Sequence, residues 1–206
     1  MRGGKIAYEG NTFAGYIGLP TAMRPGGWSV SCDSRFNGGG VNLLANIKAA
    51  KAGAKTIGIM VRDALESAAT YDDMIGLLNT TEVIAPAYYI VAGTQAGEGA
   101  VVTRNRDGPD QSHNNEGIWS IGKGGSYPHT GDWWRLETNF DHWSPLNDGR
   151  RGHANKAMAA IGQASINFDT LETLLSTKPV LASDTVYTAK ISPLKATYET
   201  IVRTGY

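Results

Sequence analysis

The segment RLETNFDHWSPLNDGRRG, residues 135–152, gathers the side chains with the clearest capacity for chemistry in this sequence. Its candidates are two acids, an amide, a histidine and two adjacent arginines: Glu137, Asp141, Asn139, His142, Arg150 and Arg151. A side-chain amide or a guanidinium group can stabilise negative charge that develops on a reacting oxygen. The segment contains no cysteine, however, and the whole chain holds only one, Cys32. The sequence therefore predicts part of a polar site without an evident nucleophile.

Common catalytic and ligand-binding motifs are not found in the rest of the chain. GKGGS lacks the spacing of a phosphate-binding loop, and no G-x-S-x-G elbow occurs. The four histidines have no metal-ligand spacing. NRDGPD is similar to part of a calcium loop, but Thr103 stands where an acidic ligand belongs. We therefore expect neither a metal site nor a cofactor.

The composition is that of an ordinary globular chain and gives no sign of a charged partner. Of the 206 residues, 41% are hydrophobic and 18% are charged, and the 19 basic and 19 acidic side chains cancel. Nucleic acid and anionic membrane surfaces are therefore not expected partners. The longest apolar run, VIAPAYYIVAG, is interrupted by Pro86 and is shorter than the roughly 18 residues of a membrane span. The first ten residues lack the apolar region of a secretory signal, which by itself is typical of a cytosolic domain.

Residue patterns predict an α+β fold in one domain covering residues 1–206. Strands are expected at 5–10, 13–19, 28–35, 87–94, 99–106, 133–140, 184–192 and 196–203. Helices are expected at 41–53, 56–69, 71–79, 153–164 and 168–177, with Thr70 and either Asn167 or Asp169 as N-caps. Residues 107–132, rich in Gly, Asn, Ser and Pro, are predicted to form a long surface loop. Because strands come in hairpins and helices in neighbouring pairs, antiparallel sheets with packed helices are favoured over βαβ units.

Several sequence blocks, in the same order, resemble the acid ceramidase and N-acylethanolamine acid amidase family. The blocks are VVTRNRDGP (101–109), ETNFDHW (137–143), DGRR (148–151) and LSTKPVLASDTVYTA (175–189). Residues 3–35 are also similar to the hairpin and strand that follow the nucleophile in this family. The family belongs to the lysosomal N-terminal-nucleophile hydrolases of the choloylglycine hydrolase group. The resemblance covers essentially the whole chain.

The resemblance implies a four-layer αββα sandwich of two antiparallel sheets between helices. It also implies hydrolysis of the amide bond of N-acylated lipids, of the N-acylethanolamine or ceramide type. The nucleophile would be a cysteine that autocleavage exposes, with its own α-amine as general base. Asn139 matches the family's oxyanion-hole asparagine, and Arg150 matches its active-site arginine. A lysosomal or secretory location is implied too, although the chain's own sequence leaves a cytoplasmic location open.

Structural alternatives accompany these assignments. Asn139 could cap a turn at a strand end, and Arg150 could be a solvated loop charge. His142 is expected to be structural, and Trp134 and Trp143 are expected to pack.

Two departures from the family pattern matter for function. The family's nucleophile-bearing strand lies ahead of the region that corresponds to Met1, so the chain is expected to be N-terminally incomplete relative to the family. Ser34 stands where the family has a glutamate between an aspartate and an arginine. Cys32 lies in mid-strand at a family glycine and is expected to pack as a small apolar group.

Three hypotheses therefore remain open at the level of the sequence. The chain is part of an amidase whose cysteine lies upstream, or it is a pseudoenzyme that binds acylated lipids or a partner without hydrolysis. The third hypothesis is a split amidase in which a separate chain supplies the nucleophilic cysteine and its strand. An open sheet edge in the absence of that strand would be an aggregation hazard, which disfavours a free-standing monomer.

Overall fold

The computed structural model of the protein describes residues 4–36, 42–114, 116–122, 133–145 and 149–204. Within these ranges the larger sheet has six antiparallel strands whose spatial order is their chain order. They are β1 (Glu9–Asn11), β2 (Thr21–Arg24), β3 (Trp28–Ser34), β4 (Ala87–Ala92), β5 (Gly99–Arg104) and β6 (Ile118–Ser120). A second antiparallel pair is formed by β7 (Tyr187–Ser192) and β8 (Thr197–Val202).

Five α-helices accompany the strands in the described ranges. Three lie between β3 and β4: α1 (Leu43–Lys51), α2 (Ile57–Ser67) and α3 (Tyr71–Thr80). Two precede β7: α4 (Arg150–Ile161) and, after a short 3-10 turn at Gln163–Ser165, α5 (Phe168–Leu175). In the part of the chain that the structure describes, no helix has the length and apolar character needed to cross a membrane.

The predicted helix caps are confirmed at α3 and α5. The Thr70 side chain accepts a hydrogen bond from the Asp73 N–H, and the Asp73 carboxylate accepts one from the Thr70 N–H. Asn167, rather than Asp169, caps α5 in the same reciprocal way with Thr170. Each cap satisfies backbone N–H groups that a helix start leaves without partners, which fixes where these helices begin.

The layers follow the order helix, sheet, sheet, helix. The main core fills the space between the larger sheet and helices α2 and α3, where the fully buried Trp28 donates from Nε1 to the Ala68 carbonyl at 3.1 Å. A smaller core joins α4 and α5. The two sheets meet at Thr21, whose hydroxyl is 2.7 Å from the Tyr187 hydroxyl and whose carbonyl accepts from the Tyr198 hydroxyl at 3.2 Å. The predicted α+β sandwich of antiparallel sheets is confirmed.

Three of the predicted elements are wrong. Residues 13–19 are not a strand; they form turns between β1 and β2, which pair directly with each other. Residues 133–140 are not a strand either, because Trp133, Trp134 and Leu136 pack against the core of α4 and α5 instead of alternating across a sheet. The predicted loop at 107–132 contains β6, which pairs with β5, and its residues 123–132 lie outside the described residues.

Replacement of Leu65 by alanine is expected to lower the free energy of unfolding by about 2–5 kcal/mol, since the side chain is 1% exposed in the main core and its loss leaves a cavity. Leu44→Ala is the matched control, because Leu44 on α1 is 81% exposed, and a change within about 0.5 kcal/mol is expected. Urea unfolding followed by tryptophan fluorescence measures both values. Equal effects of the two substitutions would contradict this placement of the core.

Candidate active site

Asn139 is hydrogen-bonded to residues at the C-terminal end of β3. Its backbone carbonyl accepts a hydrogen bond from the Phe36 N–H at 2.7 Å, and its side-chain Nδ2 donates to the Ser34 carbonyl at 2.9 Å. These two bonds hold residues 133–145, which have no regular secondary structure, against the end of the central strand β3. We call residues 133–145 the docked segment. The side chain of Ser34 is exposed, so this residue contributes its carbonyl group rather than its hydroxyl.

Arg150, the first residue of α4, contacts Asn139 directly. Its Nη2 donates to the Asn139 Oδ1 at 2.6 Å, so the two candidates from the sequence lie side by side. The amide of Asn139 then has a fixed orientation, with Oδ1 bound to Arg150 and one N–H bound to Ser34. Its second N–H makes no hydrogen bond to the described residues and can serve an outside acceptor.

Arg151, to which the sequence analysis gave no specific role, lies in the first turn of α4 and binds the same segment. Its side chain is 7% exposed and donates to the carbonyl oxygens of Phe140 and, at 3.1 Å, Asp141. It also pairs with Glu137 at 3.1 Å, and the Glu137 side chain is fully buried. The doubled arginine was the available signal, because neighbouring residues at a helix start point in different directions and can bind two different groups.

Arg35 anchors the segment from the side of the larger sheet. Its guanidinium forms a two-point ion pair with Asp141, at 2.6 and 2.7 Å, and a further ion pair with Asp110 at 2.8 Å. The Tyr88 hydroxyl donates to the same Asp141 carboxylate at 2.7 Å. All four side chains are largely buried, so the pairing is little screened by solvent.

A cavity of about 550 Å³ opens between β3 and β7 beside these residues. Its polar wall includes Cys32 and Asp33 from β3, Glu137 and Thr138 from the docked segment, and Arg150. Its apolar wall includes Phe13, Leu136, Leu174, Leu175, Val180 and Ile191. Asn139 is not among the lining residues, but it contacts Arg150, which is.

Comparisons with known proteins identify the fold and its family. No protein-family model matches the chain. The acid ceramidase of Heterocephalus glaber is 38% identical over 208 residues, which span 98% of this chain and 49% of the relative. The N-acylethanolamine-hydrolyzing acid amidase of Cavia porcellus is 40% identical over 195 residues, spanning 93% of this chain and 51% of the relative. The solved N-acylethanolamine-hydrolyzing acid amidase orthologue of Caenorhabditis elegans has a TM-score of 0.78 and 31% identity, with 94% of this chain and 78% of that chain covered.

The chain belongs to the acid ceramidase and N-acylethanolamine acid amidase family. Identity above 30% extends over more than two thirds of the solved family member, and the folds superimpose along nearly all of this chain. The chain spans about half the length of the curated relatives it matches.

Two acidic side chains in this family member's cavity hold protons more readily than usual. Burial raises the pKa of Asp33 to about 6, although the charge of Arg150 opposes the shift. Burial also raises the pKa of Glu137 to about 8, against the Thr138 N–H and Arg151, which favour the ionised form. The site therefore combines the positive charge of Arg150 with two carboxyl groups whose pKa values lie near neutral pH, Asp33 in the cavity wall and Glu137 buried behind it.

Cys32 packs against the main core, as expected of a small apolar group. Burial raises the pKa of its thiol well above the usual range, and the neighbouring charge of Asp33 adds to the shift. A protonated thiol is a poor nucleophile, which disfavours a catalytic role for Cys32. Among the described residues, no cluster of three or more histidine, cysteine or acidic side chains could hold a metal ion.

His142 lies in a buried aromatic stack rather than in a proton relay. Its ring is 1% exposed, stacks on Trp119 with ring centres 4.1 Å apart, and meets Trp143 edge-on at 4.5 Å. Its Nε2 lies 3.3 Å from the Glu116 carboxylate. Burial lowers the pKa of His142 to about 4, which makes the neutral ring the native form. The structural role that the sequence suggested is consistent with this burial, although the segment is not a strand.

The depressed pKa of His142 predicts a loss of stability in acid. The unfolded chain takes up a proton near the ordinary value of 6.5, whereas the folded chain does so only near 4, so stability falls as the pH drops through that window. The change amounts to about 3 kcal/mol. His142→Phe keeps a flat ring beside Trp119 and removes the titration, and it is expected to flatten this part of the curve. Urea unfolding at pH 7, 6, 5 and 4.5 measures it, and parallel curves for variant and wild type would contradict the prediction.

Proposed function

We propose that this protein hydrolyses the amide bond of N-acylated lipids, of the N-acylethanolamine or ceramide type, with Asn139 in the oxyanion hole. The nucleophilic cysteine is proposed to lie in polypeptide outside residues 1–206, either upstream in the same protein or in a separate chain. The observation that supports this most directly is the fixed amide of Asn139, oriented by Arg150 at 2.6 Å and Ser34 at 2.9 Å.

The orientation of this amide suits charge stabilisation. When a nucleophile attacks an amide carbonyl, the carbonyl oxygen becomes negatively charged and needs hydrogen-bond donors already in place. Asn139 has one N–H without a partner among the described residues, and its position is set before any substrate arrives. Arg150 accounts for that rigidity, because a guanidinium bound to Oδ1 prevents the amide from turning over. Its charge also lies in the cavity wall, where it favours a negatively charged oxygen.

The cavity fits a ligand with a polar centre and an apolar tail. Its volume of about 550 Å³ lies within the range of small-molecule sites, roughly 300–1,000 Å³. Arg150, Asp33 and Glu137 occupy the polar wall, whereas leucine, valine, isoleucine and phenylalanine side chains form the rest. An amide would bind at the former and an acyl chain along the latter.

The relatives support both the reaction class and the location of the nucleophile. Their names describe a ceramidase and an amidase that hydrolyses N-acylethanolamines, and they are about twice as long as the aligned region. Within that region burial raises the pKa of the Cys32 thiol well above its usual range, which favours a different cysteine as the nucleophile. By the same family relationship we propose a lysosomal or secretory location.

Hydrolysis of a fluorogenic N-acyl amide at acidic pH tests where the nucleophile lies. The 206-residue chain is expected to be inactive, and the full-length protein is expected to be active. Adding a separately expressed cysteine-bearing segment to the 206-residue chain distinguishes the split arrangement, in which activity returns on mixing. Turnover by the 206-residue chain alone would contradict the proposed location.

Asn139→Ala in the full-length protein is expected to lower kcat by about 10²–10³-fold with a small change in KM, because the lost hydrogen bond acts in the transition state. Asn167→Ala is the matched control, since it removes the same side-chain amide from the cap of α5, away from the site. Steady-state kinetics on the N-acyl amide measures both variants. A kcat within threefold of wild type for Asn139→Ala would remove the oxyanion role.

Binding without hydrolysis is the second candidate function. It is favoured by the buried, protonated thiol of Cys32, which leaves the described cavity without an activated nucleophile. A full-length protein that binds an N-acyl amide without turnover, with binding weakened by Arg150→Ala, would establish this alternative.

A further inference from the structure

We infer that Asp33 binds the nitrogen side of the ligand, accepting a hydrogen bond from the amide N–H and, after cleavage, from the ammonium group of the amine product. The identity of that ligand rests on the function proposed above. Asp33 thereby becomes a specificity-determining residue for the amine half of the substrate, opposite in charge to the groups that hold the carbonyl oxygen.

The first observation is that Asp33 lies in the cavity wall without a hydrogen-bond partner. No described side chain or backbone group donates a hydrogen bond to it, and no described basic group forms an ion pair with it within 4.0 Å. The other buried acids of this region are all bound. Asp141 and Asp110 pair with Arg35, and Glu137 accepts from Thr138 and Arg151. A carboxylate that is left without donors in a cavity wall is available to a ligand.

The second observation is the position of Asp33 relative to the oxyanion donor. Asp33 directly precedes Ser34, whose carbonyl holds the Asn139 amide, and successive strand residues are about 3.3 Å apart. The charge of Arg150 acts on Asp33 as well, and the Arg150 guanidinium contacts Asn139. Asp33 and Arg150 therefore share one wall of the cavity, and Arg150 connects that wall to Asn139, which lies outside the lining. A substrate amide is complementary to that pair, because it presents a carbonyl oxygen and an N–H on neighbouring atoms.

The third observation is that β3 carries a single acidic residue. The exposed Ser34 brings no carboxylate, whereas Asp33, one residue earlier, contributes to the cavity wall. Asp33 is therefore the carboxylate of β3 that can contact a ligand in the cavity.

The charge of Asp33 depends on the groups that surround it. Arg150 faces it from α4, Glu137 from the docked segment, Tyr187 from β7, and Cys32 adjoins it on β3. Burial raises the pKa of Asp33 to about 6, with Arg150 opposing. Above that pH the carboxylate is ionised and attracts an ammonium group. Below it the proton removes the attraction, so binding of a primary amine strengthens as the pH rises from 5 to 7.

Binding of a simple amine to the full-length protein tests the inference. The probe is n-hexylamine, which is an ammonium ion throughout pH 5–8, and the measurement is its dissociation constant by calorimetry at pH 5, 6 and 7. Asp33→Asn is expected to weaken binding at pH 7 by about tenfold or more and to remove the pH dependence. The matched control is Asp107→Asn, which removes the same charge from an exposed residue outside the cavity. It is expected to change binding by less than about twofold, since a solvent-exposed charge is screened.

The outcomes separate this inference from the proposed function. Equal weakening by the two substitutions would reduce Asp33 to one charge among several and overturn the inference. A flat wild-type pH dependence would overturn it as well, even if Asp33→Asn proved unfolded in a thermal melt. Amine binding that depends on Asp33 in a protein without amidase activity would support the inference and contradict the proposed function. Amidase activity with unchanged amine binding in Asp33→Asn would do the reverse.

Discussion

The ion pair between Arg35 and Asp141 is the interaction on which the site most depends. Residues 133–145 form neither helix nor strand, so no backbone ladder holds them in place. A neutral hydrogen bond, such as the one from Asn139 to Ser34, contributes about 1 kcal/mol. Removal of one partner from a buried ion pair costs about 3–5 kcal/mol. That cost arises because the remaining charge is left buried and unpaired, so the position of Asn139 is more sensitive to the loss of Arg35 or Asp141 than to the loss of one of its own hydrogen bonds.

The two arginines that begin α4 both position the site, but they bind different parts of it. Arg151 binds backbone carbonyls and Glu137, and so fixes the path of the docked segment. Arg150 binds the Asn139 side chain and faces the cavity, and so fixes the orientation of one amide. Because both side chains start from the same helical turn, the path of the chain and the orientation of the amide are set together. Helix position and site geometry are thereby coupled.

Local signals made much of the fold predictable, and long-range contacts account for what was missed. The caps of α3 and α5 involve residues within three positions of each other, so composition and spacing were sufficient. Residues 133–140 have the apolar content of a strand, but their partners are α4 and α5, which no local pattern reveals. Asn139 and Arg150 were predicted through family resemblance, and their site roles stay predictions, although the two side chains lie in contact. Arg35 was not predicted, because its partner Asp141 lies 106 positions away.

The contacts of Thr21 with the second sheet also limit when the two sheets can assemble during synthesis. Both strands of the β7–β8 pair reach it through tyrosine hydroxyls, and the nearer of these residues is 166 positions later in the sequence. At synthesis rates of 5–20 residues per second, that separation corresponds to roughly 10–30 s on the ribosome. During this interval the inner face of β2 has no second sheet to cover it. Assembly of the sandwich is thus a late event, and a nascent chain stalled before Tyr187 would expose that face to chaperones and to other unfinished chains.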